Sequence, residues 1–113
     1  AGRDDLAAPG LAWLRSQQNA DGGWGALRDR TPSTIEETAL AMSALAGAPD
    51  DGAATDTALA RGERWLCEAT KNGTVFEPSP IGFYFARLWY FEKAYPVVWT
   101  VEALSRLARR RAM

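Results

Sequence analysis

The sequence predicts an all-α protein built from antiparallel helical hairpins. Three observations carry that prediction. Apolar residues recur at helical spacing in at least four segments, and glycine- and proline-bearing connections separate those segments. No run alternates with the period of two that marks a half-buried strand. Finally, one helix-plus-turn unit occurs twice, at a constant offset of 52 residues.

The first helix is expected from about Ala7 or Pro9 to Ala20, with Leu6, Leu11, Trp13 and Leu14 roughly on one stripe. Residues 21–32 hold Gly22, Gly23, Gly25 and Pro32 and read as a loop. Ser33 or Thr34 then caps a second helix to Ala46. Its acids, Glu36 and Glu37, sit in the first turn, where the helix dipole favours negative charge, and its inward stripe is Ile35, Thr38, Ala39, Met42 and Leu45. Gly47 ends it. Thr55 or Asp56 caps a third helix to about Thr70, with Ala58, Leu59, Gly62, Trp65 and Leu66 inward, and Asn72-Gly73 stops it. "TVFEPSPIG" contains two prolines and is not regular helix. Pro96 fits the first turn of a last helix, where its missing N–H costs nothing, with Val97, Val98, Val101, Leu104 and Leu107 inward.

Composition excludes several function classes. Lys plus Arg number 13 against 14 Asp plus Glu, so no global field favours nucleic acid, and Arg109-Arg110-Arg111 reads as a solvated helix end. There is no histidine, and Cys67 is the one cysteine, which removes His-dependent acid–base chemistry, an internal disulfide and an ordinary zinc site. No apolar run approaches the ~18 residues of a membrane span, and a cytoplasmic location is the expectation. Five tryptophans exceed what a small core needs, pointing to aromatic surface kept for helix junctions or a cavity lining.

The repeat overlays "PGLAWLRSQQNADGGW" on "RGERWLCEATKNGTVF", matching Gly10 with Gly62, Trp13 with Trp65 and Leu14 with Leu66. Units of this kind bury their apolar faces against neighbours, and two do not close a core.

The first copy, with Trp13-Leu14, Gln18, Gly22 and Trp24, resembles the QW motif of terpene cyclases that act by protonation: the squalene-hopene and oxidosqualene cyclases and the class II diterpene cyclases. "STIEETALAMSALAG" resembles the segment next to that motif on its C-terminal side. "PSPIGFYFARLWYFEKAYPVVWTVEALSRL" is similar to the family's C-terminus, its wording nearest to bacterial copalyl diphosphate synthases. The resemblance covers essentially all of 1–113. It implies part of an α/α barrel, the alpha-alpha toroid, with a QW-type repeat over 9–25, a degenerate repeat over 61–76, an aromatic cavity segment over 80–96 and a final helix over 97–110. It also implies a longer chain, of which these residues are a C-terminal part.

In that motif the glutamine caps a helix terminus and its amide stacks on the tryptophan. Gln18, Gly22 and Trp24 are therefore expected to be structural, with the alternative that Trp24 is a plain hydrophobic plug and Gln18 faces solvent. Thr70 and Phe76 replace the pair in the second copy. The family's acid lies in a DxDD motif, which this sequence lacks, as it lacks DDxxD; no catalytic and no metal-binding residue is assigned here, and the chain alone should turn over nothing. Aligning Tyr95-Pro96 with the family's aromatic–proline pair places Tyr84, Leu88 and Phe91 at substrate-facing positions, spaced i, i+4, i+7 on one helical face; the alternative is ordinary core. Cys67, Trp89 and Trp99 read as packing. The partners implied are a prenyl diphosphate or other polyprenyl substrate, the rest of the cyclase chain and a homodimer mate on exposed apolar faces, with Mg²⁺ reserved for the full-length enzyme and no cofactor here. The rival readings are a triterpene cyclase piece, a protein prenyltransferase β subunit, disfavoured by the absence of histidine, and a noncatalytic helical-repeat interaction module.

Overall fold

The structure, a computed structural model, describes residues 2–26, 28–48, 53–76, 80–83, 88–91 and 94–112. Four helices succeed one another: α1 (Gly2–Ser16), α2 (Ile35–Ala46), α3 (Ala53–Ala69) and α4 (Ala94–Ala112). The fold is helical, as expected. Between α3 and α4 lies a two-stranded antiparallel hairpin that the periodicity does not reveal, β1 (Pro80–Phe83) with β2 (Leu88–Phe91), in the register Pro80↔Phe91, Ile81↔Tyr90, Gly82↔Trp89 and Phe83↔Leu88. Its local cause is compositional: Pro80 and Gly82 disfavour helix, and Leu88-Trp89-Tyr90-Phe91 is rich in aromatic strand formers.

α2 is the centre. Eight of its twelve residues are buried, so it has neighbours on most of its circumference. α4 packs along it most extensively, α3 lies against another side and α1 touches it more lightly. Its start is set by Thr34, whose hydroxyl accepts from the Glu37 amide at 3.1 Å. Its expected inward stripe, Ile35, Thr38, Ala39, Met42 and Leu45, is wholly buried, and Leu59 and Leu66 of α3 complete this core with Ala103 and Leu107 of α4.

Three helices differ from the sequence expectation. α3 begins at Ala53, so Thr55 and Asp56 lie inside its first turn instead of capping it. α1 begins at Gly2 and carries Pro9 inside it, giving up one helical hydrogen bond, and it stops at Ser16 rather than Ala20. In α4 the buried stripe is Pro96, Thr100, Ala103 and Leu107, whereas Val97, Val98, Val101 and Leu104 are exposed. The two stripes are adjacent and share one spacing, so periodicity alone does not choose between them. Contact with the small side chains of α2 selects the stripe holding Thr100 and Ala103, which permits close approach.

Burial, reinforced by the neighbouring Glu36 carboxylate, raises the Glu37 carboxyl above its ordinary range. A raised folded-state pKa means that ionised Glu37 opposes folding, with the penalty present above that pKa and removed as the carboxyl protonates. Glu37→Gln should therefore melt at a higher temperature than the parent near pH 7, and thermal circular dichroism should show the gap closing as the pH falls toward about 4.

Candidate functional site

Among the described residues, 17–26 and 28–34 are the most densely bonded outside the helices, although glycine and polar content suggest an open loop. Gln18 lies just past the end of α1 and is buried. Its Nε2 donates to the Gly22 carbonyl at 2.8 Å and to the Ala58 carbonyl of α3 at 2.9 Å, and its Oε1 accepts from the Arg61 guanidinium at 3.3 Å. The alternative that leaves Gln18 in solvent is excluded by this geometry.

Trp24, 2% exposed, is held at every polar point. Its indole N–H donates at 2.9 Å to the Leu14 carbonyl in the last turn of α1, which also accepts from the Gln17 amide at 3.1 Å. The Thr38 hydroxyl accepts from its amide at 2.9 Å and donates to its carbonyl, which also takes the Thr34 amide at 3.0 Å. The ring lies under Gly62 of α3, where an added methyl carbon would stand 3.0 Å from the indole and 3.1 Å from the Met42 sulfur. Gly22 has φ +99, and a side chain there would meet the Arg61 backbone at 2.8 Å, so both conformation and space demand glycine. Trp65 covers Gly23, 2.9 Å from where a side chain would begin.

Sequence reasoning names Gln18, Gly22 and Trp24 but misses three supports. Asn19 braces the loop, donating to the Thr31 carbonyl and the Ser33 hydroxyl and accepting from the Asp29 amide. Arg61 donates to the Ala20 carbonyl at 2.9 Å. Thr38 reads from sequence only as a core residue. The polar string Gln17-Gln18-Asn19 directly after a helix is the available signal, since such side chains compete for backbone partners. In the second copy Thr70 makes only local bonds, to the Leu66 carbonyl and from the Gly73 amide.

The expected substrate-facing residues fare differently. Leu88 and Phe91 are the two ends of β2, about 10 Å apart along an extended strand. The shared helical face that groups them with Tyr84 is therefore replaced by strand geometry. Tyr84 falls in 84–87, between the strands and outside the described residues.

A cavity of about 920 Å³ lies at the far ends of α2 and α4 and is lined by Ala46, Leu59, Leu107 and, at its rim, Arg106, Arg109 and Arg110. The arginines finish helix ends here. Arg110 donates to the Ala48 carbonyl at 3.3 Å and pairs with Asp56 at 3.1 Å, Arg106 lies against Gly47, and Arg111 pairs with Glu63 at 2.9 Å. A rim this cationic does not suit a hydrocarbon chain.

Among the described residues no three His, Cys, Asp or Glu side chains converge to hold a metal. Nor does Glu37 qualify as an acid for alkene protonation: its pKa shift is upward, which makes it a weaker proton donor. No helix among the described residues is long and apolar enough to cross a membrane.

Removing the Trp24 ring should cost about 3–5 kcal/mol, a large part of a small domain's stability. Trp24→Phe, which loses the bond to Leu14 and part of the ring beneath Gly62, should cost about 1–3 kcal/mol, and Gln18→Ala about 1–2 kcal/mol, as read by urea unfolding.

A family model, the squalene-hopene cyclase C-terminal domain, matches residues 3–109. No curated protein and no solved structure gives a match.

Proposed function

Because the chain belongs to the squalene-hopene cyclase C-terminal domain family, and so to the class II terpene cyclases, we propose that it supplies part of the wall of the cavity in which such a cyclase folds a polyprenyl substrate. The family match across nearly the whole chain carries this reading. The aromatic segment around β1 and β2 supports it, because polyene cyclisation passes through carbocations and aromatic faces stabilise them by their quadrupoles. The uncovered stripe Val97, Val98, Val101 and Leu104 on α4 supports it as well, since a hydrocarbon chain needs apolar wall.

In this reading Tyr84 and Phe91 offer π faces, Leu88 offers shape, and the Gln18–Gly22–Trp24 arrangement is a QW motif that braces the outer wall. The substrate is geranylgeranyl diphosphate and the product a copalyl diphosphate-type bicycle. That choice rests on the wording of residues 78–107, and on Leu88 and Phe91 standing where triterpene cyclases of this resemblance carry tyrosines. The acid that starts the reaction comes from a DxDD motif outside these 113 residues.

In the intact cyclase, Tyr84→Ala and Phe91→Ala should each lose about 0.5–2 kcal/mol of cation stabilisation, roughly 2- to 30-fold in turnover, and divert product toward earlier-quenched skeletons. Gas chromatography of products from geranylgeranyl diphosphate and from squalene checks both the cavity role and the substrate class. Unchanged rate and products for both variants would overturn the cavity assignment.

A further inference from the structure

The chain contains two asparagines, and the structure treats their carboxamides in opposite ways. Asn19 is buried and held: its nitrogen donates to the Thr31 carbonyl and the Ser33 hydroxyl, its oxygen accepts from the Asp29 amide, and Ala20 follows it. Asn72 stands in the turn after α3, and its carboxamide meets no hydrogen-bond partner among the described residues. Gly73 follows it, so the backbone nitrogen next to that carboxamide has no side chain beside it.

An unheld asparagine before glycine is the arrangement in which a backbone amide attacks a side-chain carbonyl. The Gly73 nitrogen loses its proton and bonds to Cγ of Asn72, the Cγ–Nδ2 bond breaks, and the nitrogen leaves as ammonia. Water then opens the cyclic imide at one of its carbonyls, leaving aspartate or isoaspartate, and nothing but water is consumed. The turn restrains this step. Lys71, Asn72 and Gly73 have φ of 48, 58 and 88. The Asn72 amide donates to the Cys67 carbonyl, and the Thr74 and Val75 amides both donate to the Thr70 carbonyl, each at 2.8 Å. The attacking nitrogen is itself engaged, since the Gly73 amide donates to the Thr70 hydroxyl at 3.1 Å. The ring closes only when this turn opens and frees that nitrogen, a local event far smaller than unfolding.

We propose that Asn72 is a deamidation site of this protein, guarded by the Thr70 hydroxyl, and that its conversion loosens the end of α3. The new carboxylate stands at the C-terminal end of that helix, where the dipole disfavours negative charge. Isoaspartate also inserts an extra carbon into the main chain, in a turn whose backbone N–H groups from Asn72 to Val75 all have acceptors, so those bonds cannot all survive. Phe76, just beyond them and packed against the core, depends on the turn for its placement. Thr70 stands where the first copy has Gln18. In one copy that position fastens a turn to the next helix, and in the other it holds back a reactive nitrogen. The inference is independent of the cyclase reading, because the reaction lies between neighbouring residues of one turn.

The test is peptide mass spectrometry of the intact protein, aged at mildly alkaline pH and sampled over time, with a urea-unfolded sample as the unguarded reference. Acid should accumulate at position 72 in the native protein while Asn19 keeps its amide. Thr70→Val should speed conversion at 72 by about 2- to 10-fold, the worth of one neutral hydrogen bond, and Thr70→Ser, which keeps the hydroxyl, should hold the parent rate. Circular dichroism checks that both variants fold. The aged parent should melt below the fresh one, and Asn72→Gln aged in parallel should keep its melting point. Native protein that retains the Asn72 amide while the unfolded sample loses it would overturn the site, as would conversion at 72 no faster than at 19. Equal rates for Thr70→Val and the parent, or a Thr70→Ser rate as high as that of Thr70→Val, would overturn the guard. An aged parent that melts with the fresh one would overturn the loosening of α3.

Discussion

The seat of Trp24 is the constraint on which the rest of this fold depends. One side chain joins four elements: its N–H donates into the last turn of α1, its backbone is gripped by Thr38 of α2, its ring fills the gap under Gly62 of α3, and it ends the turn that Gln18 fastens to that same helix. A hydrophobic plug without these bonds would bury the same area but leave the angle between α1 and α3 undetermined. The polar contacts add direction to burial, and most of them are to backbone atoms, so the arrangement tolerates change in neighbouring side chains. Glycine serves this seat twice: a side chain at Gly22 would collide with the Arg61 backbone, and one at Gly62 would crowd the Trp24 ring and the Met42 sulfur.

The order of packing is set from this seat. α2 is buried on most sides because the turn delivers it directly beneath Trp24, with Thr34 and Thr38 taking up the backbone groups that the entering chain would otherwise leave unpaired. α4 then closes the remaining side through Thr100, Ala103 and Leu107, and its Arg110 donates to the Ala48 carbonyl just past the end of α2. The organisation is serial: each repeat covers the turn before it. That is the physical content of the 52-residue offset, and the source of the stability that two short hairpins of this size would otherwise lack.

Much of this is legible in the residues. The helices, the cap at Thr34, the buried stripe of α2 and the structural trio Gln18, Gly22 and Trp24 come from spacing, propensity and resemblance. The β1–β2 hairpin does not, because an aromatic-rich run carries no clear period and reads equally as buried helix or strand. Tyr84, Leu88 and Phe91 come from aligning Tyr95-Pro96 with the family's aromatic–proline pair, and only their grouping on one helical face assumes helix there; Leu88 and Phe91 instead occupy a strand. The buried side of α4 is also misjudged from sequence, since the greater hydrophobicity of Val97, Val98 and Val101 outweighs the better fit of Thr100 and Ala103 against α2 until that neighbour is known. Arg61 escapes notice because its partners are turn carbonyls 41 and 42 positions away in sequence, a relation no local pattern encodes.

The outward stripe on α4 bears on function. A helix with one apolar stripe is a surface helix, and a helix with two adjacent stripes is built to be contacted on both. In α4 one stripe is spent on α2, and the second, with more branched aliphatic surface than the first, is spent on nothing among the described residues. Val97, Val101 and Leu104 at i, i+4 and i+7, with Val98 beside them, form a patch too continuous to count as scattered surface hydrophobics. In the proposed reading α4 is part of a wall, and a wall must face two ways, toward its supports and toward what it encloses. The Trp24 seat fixes the supporting side through hydrogen bonds and close glycine contacts, which are rigid. The outward stripe of α4 is aliphatic and unbonded, and such a surface shapes a hydrocarbon without competing for its charge. Division of labour between a bonded outer seat and an unbonded apolar face fits the proposed role, because in a wall for protonation-initiated cyclisation any basic or nucleophilic group would quench the cation early.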